Sequence, residues 1–423
     1  MIKKIPNILK TDNNLLKFSS IIFIATILGG GINYFFQIYV GRALGPEGYG
    51  EFSALISLLY ITSVPAGTIS TTIVLFTSEF RANSEFGKIK YLLIYSIKKL
   101  LLFGIAGFIL IWIASGVIAS FLNIDSNIPI LFIGLIFVIS AVYPIVTGAL
   151  QGLQKFIHAG INSILAAIVK LISGILLVYI GLGVNGAMLS LFISPLIAFL
   201  LALIPLRYIL MEKSVKTPNM KILHYSLPVF ITILIITLIS NIDVMIVKHY
   251  FNANDAGYYS AASLISKIIF FVTGSIATVM LPNVSELHIK KENTLRILKN
   301  CLGYTFFLST IAVFFYWVAP DFVVSLLFGR EYAVATRIIG ILGISMMFFS
   351  LSYMIIIYNI AIKNFRFIYM TTAILILEII LMSIFHENLY VVAKILAALF
   401  ILLFAGLLIE VFGNPLKSTK KDI

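Results

Sequence analysis

Charged residues are scarce in this 423-residue sequence. Only 11% of the residues are Asp, Glu, Lys or Arg, whereas 61% are hydrophobic, and an ordinary soluble domain has about 25% charged residues. A soluble core cannot bury so much apolar surface while leaving so few charges outside. The composition therefore excludes a soluble globular protein and indicates a polytopic integral membrane protein.

Cysteine is almost absent, and histidine is sparse. The single cysteine, Cys301, excludes a disulfide framework and any cysteine-based metal cluster. The five histidines are scattered and lack the i, i+4 spacing of a helical metal site. We therefore expect neither a metal nor another cofactor. The sequence also contains no nucleophile–base motif that would indicate an enzyme.

Long apolar runs make up most of the chain. A helix of about 20 apolar residues crosses the hydrocarbon of a bilayer, and windows of that length predict twelve spans. The first run is longer than the core of a signal peptide, which has about 7–15 residues, so we expect it to remain as a helix. The predicted spans cover residues 18–40, 51–75, 100–121, 128–150, 161–181, 186–206, 225–248, 257–281, 301–319, 338–360, 367–385 and 389–411.

Positive charge orients these predicted helices. With a cytoplasmic N-terminus, the cytoplasmic segments contain 23 of the 30 Lys and Arg residues and the outer segments contain four. Cytoplasmic loops of membrane proteins are enriched in these residues. Orientation therefore explains most of the net charge of +13 without a nucleic-acid partner. We expect a multi-pass protein of the inner (cytoplasmic) membrane with both termini in the cytoplasm.

Two segments that lie 209 residues apart resemble each other. Residues 41–57 read GRALGPEGYGEFSALIS, and residues 250–266 read YFNANDAGYYSAASLIS. At this offset, Tyr49 aligns with Tyr258 and both segments end in Leu-Ile-Ser. The likeness indicates an internal repeat. The alternative is that it reflects the narrow residue alphabet of membrane helices.

The repeat divides the chain into two six-helix halves, residues 1–210 and 211–423. Because six is an even number, both halves would enter the membrane from the same side and be related by an axis along the membrane normal. A parallel 6+6 repeat around a central cleft is typical of transporters that work by alternating access. We therefore predict an all-α polytopic membrane fold with twelve transmembrane helices in this arrangement.

The repeated segments also resemble a known family. GRALGPEGYGEFSAL (41–55) and NIDVMIVKHYFNANDAGYYSAASLISK (241–267) are similar to segments of the polysaccharide flippases, which are polysaccharide biosynthesis or oligosaccharide transport proteins. These belong to the multidrug/oligosaccharidyl-lipid/polysaccharide exporter superfamily. The resemblance implies a flippase that moves undecaprenyl-diphosphate-linked oligosaccharide repeat units from the inner to the outer leaflet, for O-antigen, capsule or exopolysaccharide synthesis. It implies the lipid bilayer and this glycan as partners, with a glycan polymerase and glycosyltransferases as further candidates.

Cations within or beside the predicted spans are the candidate binding residues. A charged side chain at the bilayer centre costs about 2.5–3.5 kcal/mol on insertion scales and usually faces a cavity or a partner. Because the implied cargo carries a diphosphate, we expect a cationic cleft. The candidates are Arg42, Lys170, Lys267 and Lys248, with Asn33, Gln37, Gln151 and Asn241 as polar contacts to sugars or between helices.

Two acids, Asp243 and Glu378, lie away from the predicted interfaces. Either one is a candidate for coupling transport to H⁺ or Na⁺, and the membrane potential is another source of energy. Structural roles remain open for the same residues. Lys170 can pair with Glu378, the lysines can extend along their helices to water, and Asp243 can join two helices.

Glycine and proline mark candidate hinges within the spans. Gly29, Gly30 and Gly31 stand together in the first span, and Pro65 and Pro228 interrupt the second and seventh. Such residues permit bending in membrane helices. They are also common there without any moving role, so close packing is the alternative.

Other functions compete with glycan flipping. A drug/cation antiporter of the same superfamily is expected to have a cavity dominated by acids. A lipid II flippase usually carries two additional helices. An enzyme such as a glycan polymerase would need catalytic residues and a sizeable outer loop, whereas the predicted outer loops are short.

Overall fold

A computed structural model describes the backbone of residues 6–216 and 227–412, and the side chains from residue 24 within the first range and from residue 230 within the second. Helices form nearly all of this backbone, and no strand occurs in it. The expected all-α polytopic membrane fold is confirmed.

Fifteen α-helices follow one another in the described chain. The first part contains α1 (Pro6–Thr62), α2 (Val64–Ala82), α3 (Phe86–Phe121), α4 (Ile128–Gly152), α5 (Phe156–Leu177), α6 (Gly183–Leu203) and α7 (Arg207–Met211). The second part contains α8 (Leu227–Ile239), α9 (Ile242–Tyr250), α10 (Ala253–Ile289), α11 (Leu295–Val318), α12 (Pro320–Leu327), α13 (Thr336–Ala361), α14 (Phe367–Ile384) and α15 (Leu389–Phe412).

Ten apolar helical runs in the described residues are long enough to cross a membrane. Two of them are far longer than a single membrane crossing needs. These are Ile24–Ala82, with 59 residues, and Phe156–Met211, with 56 residues. Each overlaps two of the spans predicted from the sequence. The ten runs therefore overlap all twelve predicted spans, of which 18–40 and 225–248 begin before the first residue of their run.

Glycines interrupt the two longest runs. In α1 the backbone leaves the helical region at Gly45, where φ is 66° and ψ is −179°. Between α5 and α6, Gly181 and Gly183 have φ angles of 90° and 54°. Glycine adopts such angles without the steric penalty of a Cβ. By contrast, α1 runs as a helix through Gly29–Gly31, so the hinge role of that segment stays a prediction.

The chain forms two compact units. The first comprises Met1–Leu44 and Leu59–Leu227, and the second comprises Gly45–Leu58 and Pro228–Ile423. Residues 45–58, which the sequence analysis assigns to the N-terminal half, thus pack within the second unit. The division into duplicated halves at residue 210 remains a prediction, because a compact unit reflects packing and not symmetry.

In the first unit, α4 is the central helix. It packs against α2, α3 and α6, and α5 packs against α6. One apolar cluster joins α2, α3 and α4 to the short helix α7, and it contains the fully buried Leu92, Ile145 and Ile209. By comparison, α3 buries little of its apolar surface, which is expected of a helix that faces lipid.

In the second unit, α13 is central and packs against α10, α11 and α15. Segment 45–58 enters this unit through an aromatic cluster and a glycine contact. The buried ring of Tyr49 lies 5.2 Å from that of Phe328 and 6.3 Å from that of Tyr332, measured between centroids. A Cβ on Gly50 would lie 2.8 Å from the backbone nitrogen of Gly257, so the two backbones are in direct contact.

This backbone contact predicts a large difference between two glycines of the same helix, α10. A Cβ at Gly257 would overlap the carbonyl group of Pro46, whereas a Cβ at Gly274 would meet nothing within 4 Å. Overpacking costs about 1–3 kcal/mol. We expect Gly257→Ala to lower the Tm of the detergent-purified protein by roughly 2–8 °C. Gly274→Ala should leave the Tm unchanged or raise it, and equal effects of the two substitutions would contradict the close contact.

Candidate functional site

One predicted span of the second unit is broken at its centre. The apolar run Phe230–Tyr250 contains the end of α8 and all of α9. The sequence predicts one continuous helix over 225–248, but the structure interrupts it at Ser240 and Asn241, where Asn241 has φ −140° and ψ −15°. The correction has a physical reason, because both side chains compete with the helix for backbone groups.

Side chains satisfy part of the backbone at this break. The Ser240 hydroxyl donates to the Ile236 carbonyl over 2.8 Å, and the Asn241 amide donates to the Thr237 carbonyl over 2.8 Å. The Asn241 amide also donates to the Ser240 Oγ over 3.0 Å. Non-helical backbone at membrane depth needs such internal partners, because lipid provides none.

Asp243 follows the break and lies in the first turn of α9. It is 1% exposed. Its Oδ2 accepts hydrogen bonds from the Tyr259 hydroxyl over 3.0 Å and from the Ser263 hydroxyl over 3.5 Å, both on α10. The helix N-terminus favours its negative charge. The hydrogen bonds also join α9 to α10, as the structural alternative for Asp243 predicts.

Lys267 lies on the same helix as these two donors, and its side chain is partly exposed. The ammonium nitrogen lies 3.5 Å from the Oδ1 of Asn241. Lys267 is also close enough to Asp243 and Glu378 to interact electrostatically with both carboxyl groups. The lysine therefore lies beside the helix break and within electrostatic range of the two acids.

Glu378 lies on α14 and is completely buried. Neither of its carboxyl oxygens has a hydrogen-bond partner among the described residues, and the same is true of the Oδ1 of Asp243. Buried polar groups usually have partners, so an unpaired carboxyl group in an apolar environment is exceptional. We call Asn241, Asp243, Tyr259, Lys267 and Glu378 the ionic cluster.

The ionic cluster brings together four residues that the sequence analysis selected and one that it missed. Tyr259 was missed because a tyrosine in an apolar run is usually a packing residue. A signal for it exists, since residues 259, 263 and 267 follow the i, i+4, i+8 spacing of one helix face. Within the described residues, no group of three or more His, Cys, Asp or Glu side chains is arranged to bind a metal.

The first unit contains the other central lysine. The Lys170 ammonium on α5 lies 5.5 Å from the centroid of the Phe36 ring on α1, a distance at which a cation–π interaction is favourable. One turn further along α5, Gly174 leaves space for this ring, because a Cβ there would overlap it. Phe36 is therefore held against α5 beside the lysine.

Two polar side chains flank Phe36 on α1. The Oδ1 of Asn33 is buried and has no hydrogen-bond partner in the described part of the chain. Gln37 hydrogen-bonds to the hydroxyl of Tyr60. The proposed pairing of Lys170 with Glu378 stays untested, since these two residues belong to different units.

The remaining candidates lie on three helices, α1, α9 and α4. Arg42 is exposed near the end of the first arm of α1, Lys248 is buried on α9, and Gln151 is half-buried near the end of α4. Pro65 stands in the first turn of α2, where proline is favoured, and Pro228 lies where the described part of α8 begins. Within the described part of the seventh span, the helix is broken at Ser240 and Asn241.

Comparisons with known proteins agree with this architecture. A protein with 26% identity over 354 residues is the uncharacterized membrane protein MJ1375 of Methanocaldococcus jannaschii, and the match covers 80% of this chain and 82% of that protein. An inward-facing multidrug resistance MATE family transporter of the MOP superfamily has a TM-score of 0.76 at 13% identity, covering 92% of this chain and 96% of the other. The lipid II flippase MurJ, in an inward closed conformation, has a TM-score of 0.71 at 18% identity, covering 94% of this chain and 87% of the other.

These two structures are similar to this chain in fold, at identities too low to transfer a substrate. The family model described as "Polysaccharide biosynthesis protein" matches residues 94–337, which is more than half of the chain. Its match includes Lys170, the helix break and Lys267. The chain therefore belongs to the polysaccharide biosynthesis protein family.

Proposed function

We propose that this protein is a flippase that moves undecaprenyl-diphosphate-linked oligosaccharide from the inner to the outer leaflet of the cytoplasmic membrane by alternating access. The glycan then serves surface polysaccharide synthesis, as O-antigen, capsule or exopolysaccharide. The observation that carries the proposal is a central, partly exposed lysine in each unit of a polysaccharide biosynthesis family member. Both termini lie in the cytoplasm in this proposal, and glycosyltransferases and a glycan polymerase act before and after the transport step.

The chemistry of the two lysines supports an anionic cargo. An ammonium group near the centre of a span is expensive, at about 2.5–3.5 kcal/mol on insertion scales. Lys170 contacts an aromatic ring and Lys267 contacts an amide oxygen, and among the described residues no carboxylate is hydrogen-bonded to either ammonium group. Ammonium groups bind phosphate oxygens through charge-assisted hydrogen bonds. A diphosphate is therefore a suitable ligand for either lysine.

Polar side chains near these lysines fit the rest of such a cargo. The unpaired Asn33 oxygen in the first unit and the Asn241 amide at the helix break can exchange hydrogen bonds with sugar hydroxyls. Arg42, Lys248, Gln37 and Gln151 remain further candidates. The undecaprenyl chain would stay in the bilayer, since it is as apolar as the lipid.

A drug/cation antiporter is the second candidate. Two buried carboxyl groups, Asp243 and Glu378, favour it, because acids are the expected partners of a cationic drug. Lys267 lies within electrostatic reach of both acids and would repel such a cargo. Lipid II is a third cargo to test, because the fold is similar to that of the lipid II flippase MurJ.

The two lysines give the first test of the proposed function. We expect Lys170→Met and Lys267→Met to reduce export of the lipid-linked oligosaccharide about 10- to 100-fold each at equal protein level, because each removes a charge-assisted contact of about 1.5–3 kcal/mol. Lys394→Met is the matched control, since Lys394 is exposed on α15 and lies over the ring of Tyr390. Normal export by both central variants would contradict the cationic binding site.

Reconstitution distinguishes the candidate cargoes. Proteoliposomes containing the purified protein are given fluorescently labelled undecaprenyl-diphosphate-linked oligosaccharide, labelled lipid II or a cationic dye, and movement of each between leaflets is measured. We expect faster flipping of the oligosaccharide than in protein-free vesicles and no effect on the dye. Movement of the dye alone would favour the antiporter, and movement of lipid II alone would favour that cargo.

A further inference from the structure

The described helices around Lys170 provide no acid to balance its charge. Lys170 stands on α5, which packs against α6 and α4 and against the part of α1 that precedes Gly45. From residue 24 to Gly45, and throughout α4, α5 and α6, the sequence contains no aspartate or glutamate. The Lys170 ammonium group must therefore be stabilised in another way or extend along its helix to water.

Helix α1 runs beside α5 over several turns. A Cβ on Gly29 would lie 3.8 Å from the Oγ of Ser163. Further along both helices, the Tyr39 hydroxyl donates to the Ile175 carbonyl over 3.4 Å. Residue numbers rise together on the two helices, so α1 and α5 run in the same direction. Phe36 lies between these two contacts, and its ring is where α1 meets the lysine.

The ring of Phe36 is fixed in place. Phe36 is 1% exposed, and a Cβ on Gly174 of α5 would overlap its ring. That Cβ would also lie 3.2 Å from the Oγ of Ser190 on α6. The ring thus occupies a notch that exists because residue 174 is glycine, and close packing leaves a side chain in such a notch little freedom to move. The Lys170 ammonium lies 5.5 Å from the centroid of this fixed ring.

An aromatic ring and a carboxylate stabilise an ammonium group in different ways. A carboxylate accepts its hydrogens and neutralises its charge, so an anionic ligand would have to displace the carboxylate. A ring attracts the cation through its negative face and covers one side of it. The N–H donors on the other sides remain available to an anion. A lysine held by a ring is therefore better prepared to bind a phosphate than one held by an acid.

We propose that Phe36 is a positioning residue for the cargo, because its ring holds the Lys170 ammonium group near the centre of the span and ready to bind the diphosphate. Without this contact, the lysine would extend to water, and the cargo would have to draw it back at a cost in affinity. The inference rests on the proposed function, since it takes the diphosphate as the ligand of Lys170. It adds the residue on which this contact depends and the reason why the surrounding helices do without an acid.

Fluorinated phenylalanines test this role at nearly constant ring volume. Fluorine withdraws electrons from the ring face, so mono-, di- and trifluorophenylalanine attract a cation progressively less. Each is introduced at position 36 of the full-length protein, which is purified into nanodiscs and titrated with a short-chain prenyl-diphosphate-linked disaccharide. We expect the Kd to rise with every fluorine, to about 3- to 10-fold above the wild-type value for trifluorophenylalanine. A residue that only fills space would not produce this graded series.

Phe137 on α4 is the matched control. A Cβ on Gly107 of α3 would overlap its ring, so this ring also occupies a glycine notch in the first unit. Its centroid lies 5.7 Å from that of the Phe103 ring, and it thus meets an aromatic group where Phe36 meets a cation. Trifluorophenylalanine at position 137 should leave the Kd of the probe unchanged.

A measurement without ligand tests the contact by itself. In the wild-type background, each fluorine at position 36 should lower the Tm, by roughly 1–3 °C for trifluorophenylalanine. In the Lys170→Met background the same replacement should leave the Tm unchanged, because the cation is gone. An equal loss of Tm in both backgrounds would show that the ring acts through packing alone, and it would overturn the inference.

Failure of the inference and failure of the proposed function give different results. If the probe binds the wild type and all three variants at position 36 equally well, Phe36 does not position Lys170, and the flippase proposal is unaffected. Equal weakening by fluorine at positions 36 and 137 would overturn the inference as well, because the effect would not depend on the cation. If the probe does not bind the wild-type protein at all, both proposals are wrong.

Discussion

The hydrocarbon of the membrane does not form hydrogen bonds, and every polar group placed in it must find a partner within the protein. The backbone meets this constraint by forming helices almost throughout. Between α8 and α9, the side chains of Ser240 and Asn241 donate hydrogen bonds to backbone carbonyls at the end of α8. The ionic cluster is assembled around this break, since Asp243 begins the new helix and Lys267 contacts Asn241. In the second unit, this break within a span thus lies beside two of the charged side chains of the ionic cluster, Asp243 and Lys267.

The two central lysines satisfy the same constraint by different means. In the first unit, Lys170 lies against the face of Phe36, and a glycine on α5 leaves space for that ring. In the second unit, Lys267 lies beside an amide and within range of two acids. An aromatic face stabilises a cation without neutralising it, whereas carboxyl groups can neutralise it. The first site therefore holds its cation against an aromatic ring, and the second holds its cation beside polar and acidic side chains.

The sequence predicted the residues of the candidate site better than the backbone that positions them. Polar and charged residues are rare in apolar runs and are therefore easy to identify in the sequence. This applies to Asn241, Asp243, Lys267 and Glu378. The break at Asn241 was missed, because residues 225–248 are uniformly apolar enough to appear as one helix. The side chains of a serine and an asparagine can compete with the helix for backbone hydrogen bonds, but hydropathy values do not reveal this competition. The three adjacent glycines Gly29–Gly31 lie within regular helix, and their hinge role stays a prediction, whereas at Gly45, beside Pro46, the backbone leaves the helical region. Segment 45–58 belongs to the second unit because it packs against residues about 200 positions later in the chain. No local sequence pattern reveals such a contact.

The contact between Gly50 and Gly257 has a consequence for how the protein is made. Segment 45–58 leaves the ribosome early, yet the aromatic rings and the glycine that it packs against lie beyond residue 250. At roughly 5–20 residues per second, their synthesis takes about 10–40 s longer. During that interval the segment must reside in or at the membrane without its final neighbours, although its own sequence is rich in glycine and aromatic residues. The second unit therefore cannot complete its packing until α10 has been synthesised.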